Sequence, residues 1–250
     1  MTVRELYAAL AARYPATLSE EWDNDGLMCS ADPDRQVRRV LCALDVTEAT
    51  VAEAIRIRAD VILSHHPLIF HPLSAVVPDA AVGRLVIRLL DAKISVLSFH
   101  TRADAADGGV NDLLCDALGI EAPVPFGEGL GRIGTVGCTT AAEFATRVKA
   151  ALGAPFVLFG DAARPVLRVA VVGGSGKSEI SAAIAAGADT LLSGRLSYET
   201  VNEAKGLGIN LLEAGHFYTE ALLPKHWASV LLPTLSVDAV YFDSCAVGTV

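Results

Sequence analysis

Two stretches decide the fold: Ala54-Ile55-Arg56-Ile57-Arg58-Ala59-Asp60-Val61-Ile62-Leu63-Ser64 and Ala183-Ile184-Ala185-Ala186-Gly187-Ala188-Asp189-Thr190-Leu191-Leu192-Ser193. Ala-Ile, Ala-Asp and Leu-Ser recur in both at a constant offset of 129 residues. Arg39-Val40 and Arg168-Val169 keep that offset and open apolar runs over 40–44 and 169–172, which read as buried strands. Further out, Thr2-x-x-Glu5 and Thr140-x-x-Glu143 are matching capping boxes, in which hydroxyl and carboxylate satisfy each other's orphan N–H groups. They predict helices over 5–13 and 143–152, now at an offset of 138. The change in offset falls around residues 20–27, an insertion in the first half.

Each half therefore reads helix, strand, helix, strand, helix, strand. Alternation of this kind predicts an α/β fold: two intertwined, duplicated layered repeats with mostly parallel mixed sheets. The expected boundaries are 1–120 for the first repeat, 121–132 for a connector and 133–250 for the second repeat, the two halves being interlinked.

The chain has 250 residues, 52% of them hydrophobic, enough for one large core or two intertwined ones. No apolar run approaches the roughly 18 to 20 residues of a membrane span. Nothing after Met1-Thr2-Val3-Arg4-Glu5 resembles a secretory signal, so a cytoplasmic location is expected. The five cysteines are scattered, with no Cys-x-x-Cys spacing, which argues against thiolate zinc and disulfides. A net charge of −9 opposes a general nucleic-acid-binding role.

Four of the six histidines fall in three short segments: Ser64-His65-His66-Pro67, His100-Thr101-Arg102-Ala103-Asp104 and His216-Phe217-Tyr218-Thr219-Glu220. Each follows a predicted strand, over 61–64, 94–99 and 209–214, and ligands of α/β sheets sit beyond the carboxyl ends of strands. Imidazole and carboxylate together bind Zn, Fe, Mn or Ni. The last two segments share a His-x-x-x-carboxylate spacing and read as one element used twice, around two metals. Adjacent strand side chains diverge, so His65 and His66 share a site only if the chain turns at Pro67. Asp104 and Glu220 are candidates to bridge two cations. His100 is a candidate ligand or proton-transfer group, and Asp45, at the end of the first strand, a candidate to orient metal-bound water or to cap the next helix. His71 and His226 match nothing in the repeat.

Gly173-Gly174-Ser175-Gly176-Lys177-Ser178 follows a strand and precedes a helix, as a phosphate loop does. Valine at position 171 breaks the P-loop pattern. What survives is an anion cradle from the backbone of Gly174, Ser175 and Gly176, with Arg195 as a second phosphate contact, set against a plain tight turn.

These residues carry a resemblance. The chain resembles the NIF-three-like family of dinuclear-metal-centre hexameric proteins, often named GTP cyclohydrolase 1 type 2. The matching pieces are Glu21-Trp22-Asp23-Asn24-Asp25-Gly26-Leu27, Leu44-Asp45-Val46-Thr47, Ser64-His65-His66-Pro67, His100 to Asp104 continuing to Gly108-Gly109-Val110-Asn111-Asp112, Gly131-Arg132-Ile133-Gly134, Gly173-Gly174-Ser175-Gly176, and Gly215-His216 with Glu220. The resemblance implies a toroidal homohexamer with two divalent metal ions per subunit. Its implied ligands are His65, His66, Asp104, His216 and Glu220. The chain departs from the pattern at Arg195, where aspartate is common, at Tyr198-Glu199, where histidine is common, and in the ending from Phe242 to Gly248.

The expected function is a metal-dependent hydrolase or cyclohydrolase acting on a nucleotide-like or heterocyclic small molecule. By resemblance, the reaction opens the imidazole ring of GTP and releases formate. The alternative is a non-catalytic metal carrier, chelatase or regulatory scaffold. A nucleic-acid-associated ring is a third reading, motivated only by the implied toroid and opposed by the charge.

Overall fold

In a computed structural model of the chain, residues 1–245 are described. The Ala246-Val247-Gly248 part of the divergent ending lies outside them. In chain order the elements begin with α1 (Val3–Arg13), β1 (Gly26–Cys29), β2 (Arg39–Ala43), α2 (Glu48–Arg56), β3 (Val61–Ser64), α3 (Ala81–Asp91), β4 (Ser95–Ser98) and α4 (Thr101–Ala105). There follow α5 (Val110–Leu118), β5 (Glu121–Phe126), β6 (Gly131–Thr140), α6 (Ala141–Leu152), β7 (Leu158–Phe159), β8 (Pro165–Ser175) and α7 (Ile180–Ala185). The chain continues through β9 (Thr190–Arg195), α8 (Tyr198–Leu207), β10 (Asn210–Glu213), α9 (His216–Glu220), α10 (Leu222–His226) and β11 (Asp238–Tyr241). Both capping boxes form, at Thr2 with Glu5 and at Thr140 with Glu143. No helix among the described residues is long and apolar enough to cross a membrane.

The chain forms two compact units. Among the described residues, one holds Met1–Ala103 and Leu223–Cys245, the other Asp104–Leu222. Compact packing thus cuts the chain elsewhere than the sequence repeat does. The 121–132 stretch forms β5 and the start of β6, both inside the second unit.

The first unit carries a five-stranded sheet in the order β1-β4-β3-β2-β11. Its β11–β2, β2–β3 and β3–β4 pairings are parallel, and β1 joins antiparallel. One face of the sheet, with Leu41, Ala43, Ile62 and Val96, packs against Val51 and Ala54 of α2 and Leu85, Val86 and Leu89 of α3. Tyr14, Phe99 and Trp227 form a second, fully buried cluster, and the Trp227 indole N–H donates to the Tyr14 hydroxyl at 3.0 Å.

The second unit carries a six-stranded sheet in the order β5-β6-β8-β9-β10-β7. Its centre, β8–β9–β10, is parallel. β6 and β5 extend one edge antiparallel, and β7 does the same at the other. Parallel pairing therefore predominates only in the first sheet, because antiparallel strands flank the parallel core of the second on both edges.

Strand register carries the duplication. Val40 pairs with Val61 through to Ala43 with Ser64, and 129 residues on, Val169 pairs with Thr190 through to Val172 with Ser193. The repeated Ala-Asp has a structural purpose. The Asp60 carboxylate accepts the N–H groups of Arg38 and Arg39 at 2.8 and 3.2 Å, and Asp189 accepts those of Leu167 and Arg168 at 3.0 and 2.7 Å. Each aspartate thereby ties the end of one helix–strand turn to two successive N–H groups of the neighbouring chain segment.

Candidate metal centre

In the first unit, three imidazoles converge beyond the carboxyl ends of β3 and β4. Ring centroids lie 5.1 Å apart for His65 and His66, 5.3 Å for His65 and His100, and 5.6 Å for His66 and His100. A ring nitrogen of each lies within 4.8 Å of one from each of the others. The turn expected at Pro67 is real: the Ser64 hydroxyl donates to the His66 carbonyl at 2.8 Å and folds the strand end back.

Every Nδ1 in this cluster meets a protein oxygen. His65 Nδ1 lies 2.9 Å from the Phe99 carbonyl, His66 Nδ1 2.7 Å from Asp45 Oδ1, and His100 Nδ1 2.8 Å from Asp23 Oδ1. A carbonyl or an ionised carboxylate only accepts, so each Nδ1 carries the proton in these contacts. This is how proteins orient imidazoles toward a metal. Asp45 is thus the orienting partner of His66. Capping of α2 falls instead to Thr47, whose hydroxyl accepts the Thr50 N–H.

Asp23 was not among the expected site residues. Burial raises its pKa, but hydrogen bonds from His100, the Thr101 hydroxyl and the Thr101 N–H outweigh that and hold it at about 2. Its neighbour Asp25 accepts from the His100 backbone N–H at 3.1 Å and from the buried Arg102 guanidinium at 2.9 Å. The insertion over 20–27 is therefore a clamp on the start of α4. In the sequence the segment shows as the insertion and the Glu21–Leu27 family match, but the partners of Asp23 and Asp25 lie more than seventy residues away.

In the second unit, the buried carboxylates of Asp104 and Glu220 approach within 4.8 Å of each other. His216 Nε2 lies 3.0 Å from Glu220 Oε2, one helical turn away on α9. Asn111, fully buried, holds this region together. Its Nδ2 donates to the Asp104 and Leu130 carbonyls at 3.2 and 2.8 Å, and its Oδ1 accepts the Gly173 N–H at 2.8 Å.

The two His-x-x-x-carboxylate segments are not equivalent positions. Ser64 pairs with Ser98, and its counterpart Ser193 pairs with Glu213. One residue on, the Phe99 N–H donates to Ser64 O and the Ala214 N–H to Ser193 O, both at 3.0 Å. His100 therefore corresponds to Gly215, and His216 to Thr101. The helices agree: α4 starts at Thr101 and α9 at His216. The shared spacing joins two elements whose registers differ by one residue.

The glycine-rich loop is engaged within the chain. The N–H groups of Gly173, Gly174 and Gly176 donate to Asn111 Oδ1, Thr219 Oγ1 and Ser193 Oγ at 2.8, 3.0 and 2.8 Å. Ser175 continues β8 and pairs with Arg195. The glycines are there for close approach: a Cβ on Gly174 would lie 2.1 Å from Glu220 Oε1, and one on Gly176 2.7 Å from Ser193 Oγ. Arg195 is exposed at the end of β9. The preceding Gly194 runs against α9, where a Cβ would lie 2.7 Å from His216 Cα.

Comparison with known proteins identifies the family. The chain is 36% identical over 217 residues to a "GTP cyclohydrolase 1 type 2 homolog" of Clostridium perfringens, covering 82% of each chain. It is 34% identical over 241 residues to the protein of that name in Streptococcus pneumoniae, covering 92% of this chain and 90% of the relative. Among solved structures, a Bacillus cereus protein related to NIF3 superposes with a TM-score of 0.92 at 26% identity, covering 100% and 99% of the two chains. Reduced HcgD from Methanocaldococcus jannaschii superposes with a TM-score of 0.85 at 26% identity, covering 96% and 97%. The sequence model of Duf34/NIF3 (NGG1p interacting factor 3) matches residues 1–243, and with nearly the whole chain accounted for, this protein belongs to the Duf34/NIF3 family.

Proposed function

We propose that this protein binds two divalent cations through His65, His66, Asp104, His216 and Glu220, and that it is a metal-dependent hydrolase acting on a nucleotide-like or heterocyclic small molecule. The observation that carries this reading is the imidazole cluster, in which Phe99 O, Asp45 and Asp23 hold all three Nδ1 atoms and a ring nitrogen of each histidine lies within 4.8 Å of one from each of the others. An all-nitrogen-and-oxygen donor set suits Zn, Fe, Mn or Ni. The name shared by the Clostridium and Streptococcus relatives supports cyclohydrolase chemistry on GTP.

When bound, such cations supply Lewis acidity and a water acidic enough to ionise near neutral pH. The chain's own residues do the rest. Asp45 keeps His66 in the ligating tautomer. Asp23 keeps His100 Nδ1 protonated, so Nε2 of His100 is the atom that takes up or releases a proton. Arg195 offers a cation for a phosphate group.

Elemental analysis of protein purified without added metal, together with assays of Mn-, Zn- or Fe-loaded protein on GTP, tests this. Two metals per chain and release of formate from GTP support the reading. Absence of metal overturns the site. Bound metal that passes to an acceptor protein, with no nucleotide consumed, replaces the hydrolase with a carrier. The homohexamer rests on the resemblance: a species of about six 26.1 kDa chains in sedimentation supports it, and a monomer overturns it.

A further inference from the structure

We propose that Trp22 and Phe70 form a stacking corner, beside the imidazole cluster, for the planar ring of a heterocyclic ligand; this rests on the reading of the site given above. Trp22 is 61% exposed, yet the loop that carries it is pinned on both sides. The Glu20 N–H donates to Thr101 Oγ1 at 3.0 Å. Asp23 accepts from Thr101 Oγ1 at 2.7 Å and from His100 Nδ1 at 2.8 Å, and Asn24 Nδ2 donates to the Ile69 carbonyl next to Phe70. An exposed indole on a mobile loop needs no explanation. This one is held in water by its neighbours' hydrogen bonds, and so forgoes the burial a tryptophan ordinarily gains.

The ring geometry says what fits. The Trp22 ring lies 6.0 Å from Phe70 at 61° and 6.2 Å from His100 at 77°. Phe70 lies 6.1 Å from His100 at 82°. Each pair is tilted toward perpendicular, so neither neighbour stacks face to face on the indole. A flat π-system can do so, and would then lie next to His100. Ribose or phosphate gains nothing from that surface, whereas base–aromatic stacking is tolerant of base identity.

Of the two tryptophans, Trp227 is fully buried, so solvent-exposed emission reports Trp22. The test titrates metal-loaded protein with guanosine, GMP and ribose phosphate. Guanosine and GMP are expected to quench Trp22 and ribose phosphate to leave it unchanged. Trp22→Ala should weaken GMP binding in equilibrium dialysis by about tenfold or more, and Trp22→Phe by much less, with melting temperature and metal content as in the wild type. No quenching by either guanine probe overturns the corner. So does blue-shifted wild-type emission that turns red on dilution, because Trp22 then covers a second subunit instead. Metal content of the same samples separates the two readings. Metal retained with unchanged GMP binding by Trp22→Ala overturns the corner alone, and quenching by GMP in protein that holds no metal overturns the metal site alone.

Discussion

Gly174 combines a φ of +62° with contact against a buried carboxylate, its Cβ position falling 2.1 Å from Glu220 Oε1. An alanine there meets both backbone strain and a clash. Gly174→Ala is expected to cost about 1–3 kcal/mol, or a melting-temperature drop of several degrees in thermal denaturation, and to displace Glu220. The Asp45 carboxylate holds His66 Nδ1 at 2.7 Å. Asp45→Ala should leave the fold intact and lower metal affinity by about 10–100-fold in a competition titration. Asp23 has its own pH signature. Its folded pKa is held at about 2, below the unfolded value near 3.8, so its contribution is fully present above pH 4 and is lost as pH falls toward 2. Acid titration followed by Trp22 emission should show the 20–27 loop releasing in that window in the wild type, and already released at neutral pH in Asp23→Ala.

The repeated Ala-Asp shows what an element needs. Asp60 and Asp189 do the same work, but Asp60 is buried and also pairs with Arg35 at 2.9 Å, while Asp189 is half-buried. Asp60→Ala should therefore destabilise more than Asp189→Ala, by about 2 kcal/mol against about 1 in urea unfolding. Helix α4 is held by the Arg102–Asp25 pair, with the guanidinium 4.4 Å above the Phe99 ring. The duplicated helices and strands were legible in the sequence because capping boxes and apolar runs are local patterns. The one-residue offset between α4 and α9 was not. Two equal spacings look equivalent until strand register fixes where each helix starts.

For the whole molecule, the tail matters as much as the repeats. β11 pairs with β2, and Trp227 fills the core beside Tyr14. Trp227→Ala is expected to cost about 3–5 kcal/mol and to unfold the first unit at lower denaturant. Bound metal acts in the opposite direction: free cation at about a hundred times its Kd should stabilise the chain by about 2.7 kcal/mol, and a chelator should remove that gain.

The duplicated α/β plan, the metal-type donor residues and the strand ends that carry them were determined by sequence alone, since hydrophobic periodicity, capping and residue chemistry are written within a few positions. Three features were decided only by tertiary structure. Asp23 and Asp45 became the partners of His100 and His66 across 77 and 21 residues. The N–H groups of Gly173, Gly174 and Gly176 went to Asn111, Thr219 and Ser193. The chain divided into compact units within α4 and after Leu222, not at the repeat boundary. In each case the outcome depends on which distant group comes within hydrogen-bonding or packing distance, and no local pattern encodes that.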